Sequence, residues 1–519
     1  MEQKPQSLDV IIVGAGIAGL TTGCYAQMNG LSTRIFELHT LPGGLCTSWK
    51  RKGYTFDYCI HWLVGSKPGT GLYDIWKEIG LIQGRKFIDH EIFSQVEHSD
   101  GRTVTLYVDP ARLQSHLTEL FPADSVPIAE MCRAIRTFSK FQMTEFSLHP
   151  KYWTKLLQSL PALALMRRLG VVSMKEYAGR FSDPALREVI ASFFGMEDMP
   201  ISAFLMTLGW MRSGNAGYPI GGSLPMAQAV AERYRSLGGA VSYGCRVEKI
   251  LTDGDRACGV RLTDGTEHTA RWIISAADAH ATFKQMLEDR FPEPTYERYF
   301  AEKQIFPSLL QVSLGINRTL DIPQSVTWSL AEPLKVDSKP DGAPNIVDRM
   351  SIHHYGFDPT LAPEGRTAAV VRLDGTPEYW RDLAQGDRAR YEREKGRILA
   401  DVVSRLEERF PGIRDQIEVT DVSTPWTAER YTGNWDGCME GWRMTAETFA
   451  ALLKGKNLPV IVPGLSNFIL AGQWTSPGGG LPPSAQSGRN AVRTICAKEG
   501  RRFRTTVPEV TGATRTIPA

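Results

Sequence analysis

The stretch that decides the fold is Leu8-Asp-Val-Ile-Ile-Val-Gly14-Ala-Gly16-Ile-Ala-Gly19, near the amino terminus. Its first six residues form an apolar run that predicts a buried strand, and the glycines that follow predict a tight turn into a helix. A second apolar run, Ser32-Thr-Arg-Ile-Phe36, ends in Glu37, 23 residues after Gly14. This order of strand, glycine turn, helix and strand predicts the start of an α/β domain with a parallel sheet.

The spacing of these glycines predicts a dinucleotide site. Gly14 permits the turn out of the strand, Gly16 lets the backbone approach a pyrophosphate, and Gly19 lets the helix pack closely on the sheet. The helix N-terminus then offers free N–H groups to the phosphates. Glu37 is placed to accept hydrogen bonds from a ribose 2′-hydroxyl. The alternative is a glycine turn that only packs a helix on a strand.

Two further glycine clusters favour FAD over NAD. Gly43-Gly44 follows Glu37 by six residues, where a longer cofactor needs a second backbone turn. Near the other end, the apolar run Phe468-Ile-Leu-Ala-Gly472-Gln473 precedes Pro477-Gly-Gly-Gly480-Leu-Pro482 and a helix-like stretch. We therefore expect both ends of the chain to hold one cofactor, with the substrate-selecting middle inserted between them.

These motifs resemble those of a known family. Gly14-x-Gly16-x-x-Gly19, Glu37, Gly43-Gly44 and Gly53-Tyr-Thr-Phe-Asp57 are similar to the flavin-dependent phytoene desaturase, carotenoid isomerase and retinol saturase group. That group belongs to a wider class that includes flavin amine oxidases. The segment Gly472–Ser487 resembles the group's flavin-closing loop, and Asp57-Tyr-Cys-Ile-His61 is most similar to the saturase branch.

The resemblance covers about the first 65 residues and about 25 near the C-terminus. Two positions depart from the family pattern. Cys59 stands where the family usually has glycine, and Gln473 stands where many relatives carry an acid. The second departure leaves no carboxylate at this point to which a role can be assigned.

The resemblance implies an α/β fold with a Rossmann-like FAD-binding domain of the GR2 or amine-oxidase type and an inserted α+β substrate domain. The FAD-binding domain is expected to be discontinuous, over 1–110, 212–305 and 459–500. The substrate domain is expected to combine a helical insert at 111–211 with an antiparallel sheet and a long charged helix at 306–458. Residues 501–519 are expected to form a mobile tail.

The glycine pattern and the resemblance together predict which residues contact FAD. They are Gly14, Gly16, Ile17, Ala18, Gly19, Glu37, Gly43, Gly44, Leu45, Val247, Ala276, Gly472, Gln473, Gly480, Leu481 and Pro482.

Two side chains are candidate catalytic residues. His61 ends the strand that in this class runs toward the flavin ring, and an imidazole can transfer a proton near neutral pH. Tyr431 lies in a segment with Asn434 and Trp435 that is expected near the flavin face, where aromatic rings can wall a substrate pocket. A structural role is the alternative for each. The pair His353-His354 does not predict a metal site, because adjacent strand residues point to opposite faces.

The resemblance implies an FAD-dependent oxidoreductase that acts on carbon–carbon bonds of a lipophilic isoprenoid or polyene substrate. Saturation, desaturation and isomerisation all remain open, and Ile60-His61 favours saturation or isomerisation. The electron acceptor also stays open. A flavin amine oxidase is one alternative. The other is a non-enzymatic prenyl-lipid-binding protein of the Rab escort and GDP-dissociation-inhibitor type.

Composition limits partners and location. The net charge of +2 argues against a nucleic-acid partner. Eight cysteines without a CxxC pair favour a reducing, cytoplasmic compartment, and the polar start Met1–Gln6 does not resemble a secretory signal. Leu156–Val172 is apolar with flanking Lys and Arg, too short to span a bilayer but suited to lie in a membrane interface.

Overall fold

The computed structural model describes residues 8–141, 153–192 and 195–508, with the backbone only at 153–158. Its strands are β1 Leu8–Val13, β2 Thr33–Phe36, β3 Ser48–Arg51, β4 Tyr54–Asp57, β5 Leu63–Val64, β6 Phe87–Ile88, β7 Ile92–Glu97, β8 Thr103–Tyr107, β9 Ala216–Pro219, β10 Ala240–Ser242, β11 Val247–Asp253, β12 Arg256–Leu262, β13 Glu267–Ser275, β14 Leu309–Ile316, β15 Ser325–Ser338, β16 Pro344–His354, β17 Thr367–Asp374, β18 Ile417–Ser423 and β19 Phe468–Leu470. Its α-helices are α1 Ile17–Met28, α2 Gly71–Glu78, α3 Pro110–Leu120, α4 Ser125–Phe138, α5 Trp153–Leu169, α6 Met174–Ala178, α7 Pro184–Ala191, α8 Ile201–Arg212, α9 Ser223–Ser236, α10 Pro294–Ala301, α11 Pro377–Gly386, α12 Arg388–Arg409, α13 Pro425–Thr432, α14 Ala446–Leu453 and α15 Leu481–Lys498.

The first sheet joins both ends of the chain. Its strand order is β10-β2-β1-β13-β12-β11, and β19 pairs in parallel with β13. The C-terminal helix α15 lies against α1, so closely that a Cβ added at Gly488 would stand 2.6 Å from the carbonyl oxygen of Ala18. The predicted α/β fold with a Rossmann-like domain is confirmed, and strands from both ends of the chain lie in this sheet.

The second sheet forms the substrate domain. Its order is β18-β14-β17-β16-β15-β7-β8, antiparallel except where β15 meets β7. Within 306–458, the expected antiparallel strands include β14, and the expected long charged helix is α12. Trp380 on α11 and Ile398 on α12 are buried in the core that this sheet shares with the helices.

One boundary differs from the sequence-based prediction. Strands β7 and β8 fall within the segment 1–110 that was assigned to the FAD-binding domain, yet they complete the second sheet. Val326 on β15 pairs with Gln95 on β7, and this pairing partner lies more than 200 residues away in the sequence. Local patterns carry no information on such a distant pairing.

Helices α3 to α8 occupy the predicted helical insert, and α3 packs against β8 at the edge of the second sheet. The segment 501–508, expected as part of a mobile tail, lies against α1. Backbone N–H of Arg504 donates to the Asn29 side chain over 2.8 Å, and the ring of Phe503 stands 5.7 Å from that of Tyr25. The rest of the predicted tail, 509–519, lies outside the described residues.

Candidate active site

The first cavity lies where the carboxyl ends of β1, β2, β13 and β19 meet the starts of α1 and α15. Its volume is about 470 Å³. Its wall contains most of the residues predicted to contact FAD, namely Gly14, Gly16, Ile17, Ala18, Glu37, Gly43, Gly44, Leu45, Val247, Ala276, Gly472, Gln473, Gly480 and Leu481. Gly19 and Pro482 do not line this cavity: Gly19 packs against Gly14, and Pro482 lies in the first turn of α15.

Glycines shape this wall because side chains do not fit there. Gly14 has φ of +95° and Gly472 has φ of +107°, conformations that other residues rarely adopt. A Cβ at Gly19 would stand only 1.9 Å from the carbonyl oxygen of Gly14. The N–H of Gly43 donates to the carbonyl of Ala15 over 2.9 Å, which joins the two glycine turns. These contacts make a backbone cradle for a long, thin ligand.

Polar groups at the cavity match the parts of a dinucleotide. Helix α1 begins after Gly16 without a side-chain cap, so its first N–H groups remain for phosphate oxygens. Helix α15 begins after Gly480, but Pro482 and Pro483 carry no N–H, so only Leu481 offers an N–H group at its first three positions. The Glu37 carboxylate accepts the N–H of Ala15 over 2.6 Å and that of His39 over 2.8 Å. Burial raises the pKa of Glu37. The residues present therefore fit FAD, which supplies hydride and electron chemistry when bound.

A second cavity adjoins the first. It has a volume of about 460 Å³, and it shares His61, Trp62 and Arg372 with the first cavity. Both volumes lie in the range of about 300–1,000 Å³ typical of small-molecule sites. Aromatic rings, histidines and hydroxyl groups line the second cavity, among them His90, Phe93, Ser94, Tyr218, Ser325, Thr327, Ser351, His353, His354, Tyr355 and Phe357.

His61 stands at the junction of the two cavities and is held from two sides. The buried Asp57 accepts the N–H groups of Cys59 and Ile60 over 2.9 and 3.0 Å, and it also accepts the hydroxyl of Ser223 over 2.7 Å. This carboxylate fixes the turn that leads to His61. On the other side, the guanidinium of Arg372 on β17 donates a hydrogen bond to Nε2 of His61.

The histidines of this site are held neutral. Burial, followed by the nearby Arg372 guanidinium, lowers the pKa of His61 well below its usual range. The same two causes lower the pKa of His353, whose ring centroid stands 4.7 Å from that of His61, to about 3. Burial lowers the pKa of His90 to about 4. Because Arg372 can only donate, Nε2 of His61 is the acceptor and Nδ1 carries the proton.

The other candidates named from the sequence lie in different places. Tyr431 is 45% exposed, and its ring stands 5.0 Å edge-on to that of His39, outside both cavities. The structure does not bring Tyr431 to His61. Asn434 lines the first cavity, whereas Trp435 stacks on His280 at 4.4 Å outside that wall.

Sequence reasoning missed several residues of the site. Arg372 gave no motif signal, because it is a single partly buried residue between buried neighbours on β17. Two carboxyl groups of the first cavity were also missed. Burial raises the pKa of Glu440 to about 8 and that of Asp278 to about 7. Glu440 packs on the positive-φ glycine loop at Gly479, a contact between segments that no local pattern indicates.

The fold and the first cavity define a dinucleotide-binding oxidoreductase. Residues 17–496 match the model of the family described as flavin containing amine oxidoreductase. The chain belongs to this family. The predicted enzyme class, an FAD-dependent oxidoreductase, is thereby confirmed, and so is the predicted cofactor.

Three curated relatives cover most of the chain at low identity. Prolycopene isomerase, chloroplastic, from Daucus carota is 24% identical over 96% of this chain and 81% of the relative. Phytoene desaturase (neurosporene-forming) from Rhodobacter capsulatus is 24% identical over 93% of each. All-trans-retinol 13,14-reductase from Danio rerio is 25% identical over 82% of this chain and 76% of the relative. These names agree with the family group identified from the motifs.

Solved structures agree on the fold. A mutant of putrescine oxidase aligns with a TM-score of 0.60 and 15% identity, over 95% of this chain and 99% of the other. At this identity the likeness concerns the fold alone.

Proposed function

We propose that the protein changes carbon–carbon double bonds of a lipophilic isoprenoid or polyene, with FAD as its redox group. The proposal is supported by the three relatives, whose names denote an isomerase, a desaturase and a reductase of such molecules. It is also supported by apolar side chains in the wall of the first cavity. They come from α8 and the segment before it, from β14 and the segment before it, and from the loop after α13. That wall contains Met196, Met199, Ala203, Phe306, Leu309 and Met439.

The observation that carries the proposal is the charge of the second cavity. Its described wall contains two arginines, Arg349 and Arg372, and neither a carboxylate nor a lysine. A protonated amine entering this cavity would meet the unpaired Arg372 and would find no carboxylate in the wall, since Arg349 is already paired with Glu188. The site therefore favours a polyene over the amine substrate of the alternative. The second alternative, a flavin-free lipid carrier, disagrees with the family membership.

His61 is proposed to act as a hydrogen-bond donor beside the reacting bond. Its Nε2 is occupied by Arg372, so the free Nδ1–H faces a different direction and can orient or polarise a substrate group. Its low pKa keeps the ring neutral at pH 7, which favours this role over that of a strong acid.

Product analysis tests the reaction. FAD-loaded protein is incubated anaerobically with lycopene isomers, phytoene or all-trans-retinol, in the oxidised state and after photoreduction, and the products are separated by chromatography. Loss of a double bond in the reduced enzyme indicates saturation, gain in the oxidised enzyme indicates desaturation, and a changed geometry with no net redox change indicates isomerisation. Unchanged polyenes in both states, together with turnover of an amine, would refute the proposal.

A membrane-facing surface is proposed on α5 and α14. No helix in the described part of the chain is long and apolar enough to cross a bilayer. Exposed residues recur on one face at the C-terminal end of α5 and just beyond it, namely Leu160, Ala164, Arg167, Arg168 and Val171. Phe449 of α14 packs at Gly170, which places the exposed Leu453 and Lys454 nearby. Apolar residues ringed by basic ones suit an anionic interface. Lys151 lies outside the described residues.

Flotation with vesicles tests this surface. We expect the protein to float with phosphatidylglycerol vesicles and less with phosphatidylcholine. The double substitution of Leu160→Glu and Val171→Glu removes flotation, whereas Ile346→Glu, at an exposed apolar residue of β16, leaves it intact. Equal behaviour of all three proteins would contradict a membrane-facing role for this surface.

A further inference from the structure

Arg372 is a cation without an anion. Its Nε donates to Oε1 of Gln311 over 3.0 Å, and one terminal nitrogen donates to the carbonyl of Tyr58 over 2.8 Å. The other terminal nitrogen donates to His61. All three acceptors are neutral, and no carboxylate within the described ranges forms an ion pair with it. Two of the five guanidinium N–H groups remain for a ligand.

Neighbouring charges do not supply the missing anion. Arg349, at another part of the second cavity, is paired with Glu188. The carboxylate of Asp57, in the turn before His61, already accepts hydrogen bonds from the backbone N–H groups of Cys59 and Ile60 and from Ser223. A partly buried, unpaired cation is costly, so its retention at the junction of two cavities points to an anionic ligand.

Hydroxyl groups that can hydrogen-bond an oxygen atom lie in the same cavity as Arg372. Hydroxyls of Thr327 and Ser351 hydrogen-bond each other over 2.7 Å in the same wall. The buried hydroxyl of Tyr355 has no hydrogen-bond partner among the described residues. A hydrocarbon that filled this cavity would displace water from these groups and replace none of its hydrogen bonds. Apolar side chains line both cavities, among them Val96, Leu106 and Met211 in the second and Met199 and Ala203 in the first.

We propose that the substrate is an amphipathic polyene whose carboxylate binds Arg372 in the second cavity, while its hydrocarbon chain follows the Met199 and Ala203 wall of the first. The inference rests on the proposed function and names the substrate class within it. A planar guanidinium with two free N–H groups matches a carboxylate in a bidentate pair. The double bonds next to the carboxylate then lie at His61, where the two cavities meet.

Ligand binding tests the head group without requiring turnover. FAD-loaded protein is titrated with all-trans-retinoic acid, its methyl ester and all-trans-retinol, and quenching of tryptophan fluorescence gives each Kd. We expect the acid to bind at least about 10-fold more tightly than the ester, as a charge-assisted hydrogen bond predicts. Arg372→Gln is expected to remove this preference and to leave the ester's Kd within about 2-fold. Arg372→Lys is expected to restore part of the preference.

A matched control and two outcomes decide the proposal. Arg366→Gln removes another arginine near the start of the same strand, one that pairs with Glu418 outside both cavities, and it should leave the acid preference unchanged. Equal Kd values for acid and ester in the unsubstituted protein would overturn the proposal. So would an Arg372→Gln variant that weakens both ligands equally while losing flavin, because Arg372 would then serve the cofactor.

Failure of the head-group proposal is distinguishable from failure of the proposed function. A strong preference for the acid with no change in any polyene bond supports the carboxylate site and refutes the polyene reaction. Conversion of the ester and of hydrocarbon polyenes without a preference for the acid supports the reaction and overturns the carboxylate site.

Discussion

The guanidinium of Arg372 donates a hydrogen bond to Nε2 of His61, a residue 311 positions earlier in the chain. This bond joins the substrate sheet to the turn that follows the FAD-binding motifs. It also determines the state of the imidazole, because a neighbouring cation that can only donate stabilises the neutral ring with its proton on Nδ1. The candidate catalytic residue is therefore coupled to the residue proposed to bind substrate.

We expect His61→Asn to reduce kcat by about 10²-fold, the lower end of the range for the loss of a hydrogen-bond donor at the reacting group. FAD content should stay within the range of the unsubstituted protein, because His61 is anchored by backbone contacts of its turn. Steady-state polyene conversion and flavin absorbance measure the two quantities. Tyr431→Phe serves as the comparison and should leave kcat unchanged, since its half-exposed ring lies outside both cavities. A larger effect at Tyr431 than at His61 would reverse this assignment.

The low pKa of His353 predicts that acid destabilises the protein. An unfolded histidine titrates near 6.5 and the folded one near 3, so the unfolded state binds more protons below pH 6.5. The free energy of unfolding therefore falls as pH falls through this window, by at most about 1.4 kcal/mol per pH unit for this group. Denaturant unfolding at pH 7 and pH 5 should show a smaller pH effect in His353→Asn. An identical pH effect in both proteins would exclude this residue as a cause.

Glu440 is expected to make stability depend on pH between 4.5 and 8. Burial raises its pKa from 4.5 to about 8, so the stability from the neutral acid is fully present below pH 4.5 and is lost as pH rises from 4.5 to 8. Glu440→Gln keeps the neutral shape at all pH values. The Tm of this variant relative to that of the unsubstituted protein should therefore rise between pH 5 and pH 8 and stay constant above pH 8. Glu447→Gln, at an exposed position, should show no such difference. Parallel Tm curves for all three proteins would count against a raised pKa.

Gly19→Ala tests the backbone cradle. The new Cβ would collide with the carbonyl of Gly14, which forces the glycine turn away from the phosphate position. We expect FAD to bind at least about 10-fold more weakly and stability to fall by about 1–3 kcal/mol. Gly396→Ala is the control: it lies in α12 with open space at its Cβ, and it should raise stability by about 0.5–1 kcal/mol. Flavin absorbance measures FAD binding, and thermal unfolding measures stability, in both variants. Full FAD binding by Gly19→Ala would contradict the claim that the backbone cradle holds the cofactor.

The FAD-binding half of the protein could be predicted from sequence because its signals are local. Gly14, Gly43 and Gly472 each need a backbone conformation that glycine alone adopts freely, and this requirement is visible in the residue type. Glu37 was found by its distance from the glycine turn, and the structure places it in the cavity wall.

The substrate half could be predicted only in outline. Arg372 is a single partly buried residue between buried neighbours on β17, and its importance comes from His61 and Tyr58, which the fold brings to it from another domain. Tyr431 illustrates the opposite error: an aromatic residue near the glycine-rich loop in sequence points to the outside in space. Such contacts depend on tertiary packing and leave no periodic pattern.

An anaerobic absorbance titration tests the central claim that a flavin site formed by both chain ends serves a polyene rather than an amine. Purified protein loaded with FAD is mixed with all-trans polyenes in the oxidised state and after photoreduction, and, in parallel in the oxidised state, with a panel of primary and secondary amines. We expect a flavin spectrum, a change of the polyene chromophore in at least one redox state, and no bleaching of the oxidised flavin by amines. Bleaching by an amine with release of peroxide on admission of air, or failure to bind FAD at all, would contradict it.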